Sequence, residues 1–162
     1  MGQATTVGDE GGYAPSLSSN RAPLELMVKA IEMAGYRPGT DVAIALDPAS
    51  SEFYEDGKYQ LKTENRILSA DEIIELYKGW MNEFSIVLLE DGLAEDDWDG
   101  WVKLNAELGS KIQIVGDDLF VTNTKWVQKG IELKAANSVL IKLNQVGTVT
   151  ETIETIKIAK EA

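Results

Sequence analysis

Ile86-Val-Leu-Leu-Glu90 is an apolar run that ends on a carboxylate, and the chain repeats the design three more times. Val42-Ala-Ile-Ala-Leu-Asp47 precedes it; Ile112-Gln-Ile-Val-Gly-Asp117 and Ser138-Val-Leu-Ile-Lys142 follow. The charged ends are separated by 43, 27 and 25 residues, about the length of a strand-helix unit with or without an insertion. Apolar runs without alternation suit strands buried on both faces, as in a parallel sheet covered by helices. Charges at the C-terminal ends of such strands lie where α/β enzymes build their sites. Three carboxylates and a lysine are therefore expected to converge on one small volume.

The segments between these runs read as helices and turns. Pro23-Leu-Glu-Leu-Met-Val-Lys-Ala-Ile-Glu-Met-Ala34 is apolar at helical spacing, with Pro23 suited to a first turn and Gly35 to a stop. Ser69-Ala-Asp-Glu72 is a capping box opening a helix that runs to about Phe84. Further helices are expected through Trp98, Trp101, Leu104 and Leu108, over Thr124 to Lys134, and over Thr148 to Ala162. Phe53 to Leu61 reads as a small hairpin around Asp56-Gly57, which accounts for the longest step. Strand and helix alternate four times, which predicts an α/β fold with a parallel sheet. Four such units make either an open doubly wound sheet or half of an eight-stranded barrel.

Composition narrows the chemistry. Fifteen basic residues against 27 acidic ones give a net charge of −12, which disfavours nucleic acid and anionic membrane as partners. No run reaches the ~20 apolar residues of a membrane span, and Met1-Gly-Gln-Ala-Thr-Thr6 lacks the pattern of a signal peptide. A cytoplasmic location is the simplest expectation. With no cysteine and no histidine, thiolate nucleophiles, imidazole zinc sites and serine-histidine triads are excluded within these residues. Carboxylates, lysines and hard oxygen-ligated cations remain.

Asp47, Glu90 and Asp117 are then candidate ligands for magnesium, which takes carboxylates and keeps positions open for substrate. Three clustered carboxylates repel one another, and a divalent cation removes that conflict. Each acid taken singly could equally cap a helix or face solvent. Lys142, on the next strand, could pair with the acids, act as a general base, or do both. Gly8-Asp-Glu-Gly-Gly12 is an acidic glycine-rich loop in which Glu10 could donate or accept a proton. Asp118 fits a supporting place, hydrogen-bonding Lys142 or the loop. Asp96, Asp97 and Trp98 read as a cap and packing for the helix that follows them.

Many of these residues match one family in order and spacing. Val7-Gly-Asp-Glu-Gly-Gly12, Ala45-Leu-Asp47, Ser50-Ser-Glu-Phe53, Asp56-Gly-Lys-Tyr59 and Glu90-Asp91 resemble enolase (phosphopyruvate hydratase). So do Ala94-Glu-Asp-Asp-Trp98, Gly116-Asp-Asp-Leu119, Val121-Thr-Asn123 and Leu140-Ile-Lys-Leu-Asn-Gln145. The resemblance runs from about Val7 to the end of the chain. It implies a partial TIM-type barrel: a loop over 1–20, a helix over 21–35, and four parallel strand-helix units over 42–162, together half of an enolase barrel. It further implies reversible dehydration of 2-phosphoglycerate to phosphoenolpyruvate, a step of glycolysis that runs in reverse in gluconeogenesis. Asp47, Glu90 and Asp117 would be the Mg²⁺ ligands, Lys142 the base at C2, and Glu10 the acid assisting loss of the C3 hydroxyl.

The departures from the family are also specific. The His-Arg-Ser motif that grips the substrate phosphate, a second lysine for its carboxylate, and the family's N-terminal domain have no counterpart in these 162 residues. The isolated chain is therefore expected to be inactive. It should assemble with a second copy of itself or with a complementing barrel half, and a non-catalytic, Mg²⁺-binding half-barrel is the alternative reading.

Overall fold

A computed structural model describes residues 4–8 and 11–162. The four apolar runs become β1 (Ile44–Leu46), β5 (Ile86–Glu90), β6 (Gln113–Gly116) and β7 (Ser138–Val139), joined in one sheet in the order β1-β5-β6-β7. Every pairing in this sheet is parallel. Six helices accompany it among the described residues: α1 (Ala22–Met33), α2 (Ala70–Glu83), α3 (Trp98–Leu108), α4 (Thr124–Leu133), the single turn α5 (Leu143–Val146) and α6 (Val149–Glu161). This is the expected alternation of strand and helix with neighbouring units side by side. No helix among the described residues is long and apolar enough to cross a membrane.

Local chemistry sets the boundaries. Ser69 caps α2 in a reciprocal box, its hydroxyl accepting the Glu72 N–H while the Glu72 carboxylate accepts the Ser69 N–H. Asp97 caps α3 through the Gly100 N–H at 3.0 Å, and Asn123 and Thr148 cap α4 and α6. Pro23 lies in the first turn of α1, and Gly35 (φ +85°) follows its end. Asp56 and Gly57 both take positive φ, +50° and +75°, giving the tight turn between β2 (Tyr54–Glu55) and β3 (Lys58–Leu61).

Three elements differ from expectation. The hairpin carries a third strand, β4 (Arg66–Leu68), whose pairing with β3 makes a separate antiparallel sheet. The fourth parallel strand stops at Val139 rather than Lys142. Its ladder continues only through the Leu140 N–H to the Gly116 carbonyl; the Lys142 N–H turns instead to the Thr122 hydroxyl at 2.9 Å. Lys142 is thus still extended, but its backbone is held by a side chain, and α5 begins directly after it. β1 likewise starts at Ile44, because Val42 pairs with Pro38 in an isolated bridge.

The main core lies between the sheet and its helices, with Leu89 and Ile114 packed against Trp101, Leu104, Leu108, Phe120 and Val127. Trp101 is fully buried, and its indole N–H donates to the Ala94 carbonyl at 3.0 Å. Emptying such a site costs ~3–5 kcal/mol. A smaller cluster sets Leu24 of α1 against Ile44 and Ile86. The other face of the sheet is less covered: Val87, mid-strand in β5, is 50% exposed. Among the described residues β1 and β7 each have one strand neighbour. An apolar face and two unpaired edges are what half of a barrel presents.

Candidate active site

Strand register brings the charged residues together. Leu46 pairs with Leu89, so Asp47 and Glu90 follow at matching heights on adjacent strands. Glu90 pairs with Val115, and Gly116 pairs with Val139, which sets Asp117 and then Lys142 just beyond the same end of the sheet. Asp117 is buried, whereas Glu90 and Lys142 are half-buried.

Asp117 is the hub. Its Oδ2 accepts the Lys142 ammonium in an ion pair, and its Oδ1 accepts the Gln145 Nε2–H at 2.7 Å. Gln145 is in turn fixed by the Thr122 hydroxyl, which donates to its Oε1 at 2.6 Å. Thr122 is fully buried and has φ +54°, beside Val121 at +42°. Two successive β-branched residues in the left-handed region are strained. Thr155 of α6 braces this turn by donating to the Thr122 carbonyl at 2.8 Å. Asp47 Oδ1 accepts the Ala49 N–H at 2.9 Å.

Electrostatics joins the acids where distances alone do not. Burial, then the charges of Asp47, Asp117 and Asp91, push Glu90 up to about 7, with Lys142 pulling the other way. Hydrogen bonding to Asp117 raises Lys142, and the charges of Asp117, Glu90 and Asp118 add to it. The donor set suits a hard divalent cation by its chemistry rather than by closeness, since among the described residues Asp47 and Glu90 form no group with Asp117 whose carboxylate oxygens all lie within 4.8 Å of one another. It is all oxygen, it is mutually repulsive, and the lysine ammonium is the cation now compensating it.

Asp91 was not foreseen as part of this site. It is buried, has φ +40°, and accepts the N–H groups of Asp117 and Asp118 at 2.9 Å each. Burial raises it to about 6 against the opposing pull of those two hydrogen bonds. Carboxylate oxygens of Asp91, Asp117 and Asp118 lie within 4.8 Å of one another, a group that could hold a metal ion. Lys142 reaches Asp117 rather than Asp118, and the Asp118 backbone is tied to Asp91. Glu10 lies outside the described residues. Asp97 and Trp98 serve the helix as expected, Asp97 as cap and Trp98 packed at a tilt on Phe120 with ring centroids 6.4 Å apart.

Thr122 and Gln145 were likewise not singled out. Their signal in the sequence is only that polar side chains flank an apolar strand end, and it becomes specific once the turn at Val121 is known.

Comparison with known proteins accords with this geometry. The profile of the family described as the C-terminal TIM barrel domain of enolase matches residues 1–162. The chain is 58% identical over 161 residues to Enolase 1 of Methanospirillum hungatei JF-1, covering 99% of this chain and 38% of that protein. The chain thus spans well under half the length of that relative. With its parallel sheet, its charged strand ends and a match along its whole length, this chain belongs to the enolase family, in the part that forms the C-terminal TIM barrel domain.

Proposed function

We propose that this chain carries the carboxylate and base side of a phosphopyruvate hydratase, a lyase acting on 2-phosphoglycerate. The observation that carries the reading is the Asp117 carboxylate, held between Lys142 and Gln145 at the C-terminal end of a parallel sheet. Asp47, Glu90 and Asp117 would hold Mg²⁺, which when bound supplies positive charge against the substrate carboxylate. Lys142, an ammonium while paired with Asp117, would first release its proton to solvent; its free amine would then take the C2 proton as the C2–H bond breaks, and Asp117 beside it stabilises the ammonium re-formed. The electron pair left at C2 is delocalised into the substrate carboxylate. It then expels the C3 hydroxyl, which leaves as water with a proton that Glu10 is suited to give.

Turnover would also need groups gripping the substrate phosphate and carboxylate. Positioning of that kind supplies ~7–11 kcal/mol of a barrier. The open edges at β1 and β7 and the exposed Val87 favour assembly, with a complementing barrel half or with a second copy. The same surfaces would serve a non-catalytic, Mg²⁺-binding half-barrel. The test is phosphoenolpyruvate formation from 2-phosphoglycerate at saturating Mg²⁺, by the purified chain alone and mixed with the remaining portion of an enolase barrel. Turnover only in the mixture, lost on Lys142→Ala, is expected. Mg²⁺ binding with no turnover in an assembled mixture would favour the non-catalytic reading.

A further inference from the structure

Asp91 lies one residue beyond β5, between the two strands that carry Glu90 and Asp117. Its own backbone is pinned from both sides: its N–H donates to the Val115 carbonyl at 3.0 Å, and its carbonyl accepts the Ser50 N–H at 3.1 Å. With φ +40° the residue sits in the left-handed region, which an aspartate or asparagine tolerates better than most side chains. That conformation turns the carboxylate toward β6, where Oδ1 accepts the Asp117 N–H and Oδ2 the Asp118 N–H, each at 2.9 Å. Both oxygens are therefore spent on consecutive backbone amides of the neighbouring strand end, in a site only 5% exposed.

A carboxylate that accepts two consecutive backbone amides is a bracket for the turn on which they lie, and that turn carries Asp117. The Asp117 side chain is gripped at both its own oxygens, and the Asp91 bracket fixes the backbone from which it projects. We propose that Asp91 is a positioning residue that holds the Asp117–Asp118 turn, so that Asp117 is presented to a divalent cation in a set orientation. The metal part of this inference rests on the function proposed above; the bracket itself does not. Partners that orient a metal ligand from behind are worth ~10–100-fold in metal affinity.

The test pairs two measurements on the whole chain, wild type and Asp91→Asn, the latter keeping the size and the tolerance of positive φ. Amide hydrogen exchange is followed without metal, and Mg²⁺ affinity by calorimetry. The expected result is at least tenfold faster exchange at the Asp117 and Asp118 amides. Mg²⁺ affinity should fall about 10- to 100-fold, with exchange at Leu104 and Ile114 in the core unchanged. If Asp91→Asn does not fold, Asp91→Glu, which moves the carboxylate outward by one methylene, is read the same way. Weaker Mg²⁺ binding with unchanged exchange at those two amides would make Asp91 a ligand and overturn the inference. Faster exchange with unchanged Mg²⁺ affinity would overturn it as well. A wild type that binds no Mg²⁺ yet shows the exchange difference would sink the metal reading and leave the bracket standing.

Discussion

The Thr122 hydroxyl donates to Gln145 Oε1 at 2.6 Å while accepting the Lys142 N–H at 2.9 Å. One buried oxygen thereby fixes the backbone of the candidate base and the amide that faces Asp117 across from it. The strain of placing Val121 and Thr122 at positive φ is offset by what this turn holds in place.

Thr122→Val keeps the shape and removes the hydroxyl, leaving the Lys142 N–H and Gln145 Oε1 unmatched. A loss of about 1–3 kcal/mol is expected in urea unfolding. Thr122→Ser retains both contacts and should lose about 1 kcal/mol, the value of the buried methyl. Equal losses in the two variants would mean that the hydroxyl does not hold this turn.

Glu90 gives a pH dependence with a definite sign. Its folded pKa, about 7, is raised above the ordinary glutamate value by burial and by Asp47, Asp117 and Asp91, against the pull of Lys142. The folded chain thus binds this proton more tightly than the unfolded one. Its contribution to stability is fully present below the unfolded value and is lost as pH rises through about 7. Glu90→Gln should flatten this part of the stability profile in metal-free buffer. Mg²⁺ affinity of the wild type should rise over the same interval, since the ligand must be deprotonated. An affinity independent of pH between 5 and 8 would remove Glu90 from the ligand set.

Tyr59 is fully buried in the small antiparallel sheet. Its hydroxyl donates to Asp97 Oδ2 at 2.7 Å and accepts the Ala94 N–H at 3.1 Å, tying the hairpin insertion to the loop that enters α3. Tyr59→Phe should cost about 1–3 kcal/mol and speed amide exchange at Ala94. A melting temperature equal to that of the wild type would contradict this link.

Gly130 sits in α4 under the Phe120 ring, where an added Cβ would lie 2.4 Å from Cε1 and 2.7 Å from Cζ. Gly130→Ala, which helix propensity alone would favour, is therefore expected to destabilise by about 1–3 kcal/mol. Adding Phe120→Leu should recover part of the loss. A stabilising Gly130→Ala would show that the ring can move aside.

The fold was readable wherever a local rule was strong. The apolar runs before Asp47, Glu90, Asp117 and Lys142, the Ser69–Glu72 box and the Asp56-Gly57 turn each depend on a few adjacent residues, and each has its structural counterpart. β4 has no local signal, because Arg66-Ile-Leu68 is too short to show alternation and finds its partner only in β3. The apolar run of the last parallel strand overstates the strand, because it continues past the point where backbone pairing gives way to Thr122. The parts played by Asp91, Thr122 and Gln145 depend on contacts between residues 20 or more positions apart and on left-handed backbone that no local pattern announces. Candidate ligands and base were legible because their chemistry is in their side chains. What holds them was not, because it is mostly in backbone amides.

The most direct test of the proposed function is exchange of the C2 hydrogen of 2-phosphoglycerate in deuterated, Mg²⁺-saturated buffer, by the chain assembled with the remaining portion of an enolase barrel. Exchange is expected from the wild type and none from Lys142→Ala, with Mg²⁺ binding retained in both. Undiminished exchange in Lys142→Ala would contradict the proposed function and move the base to another residue.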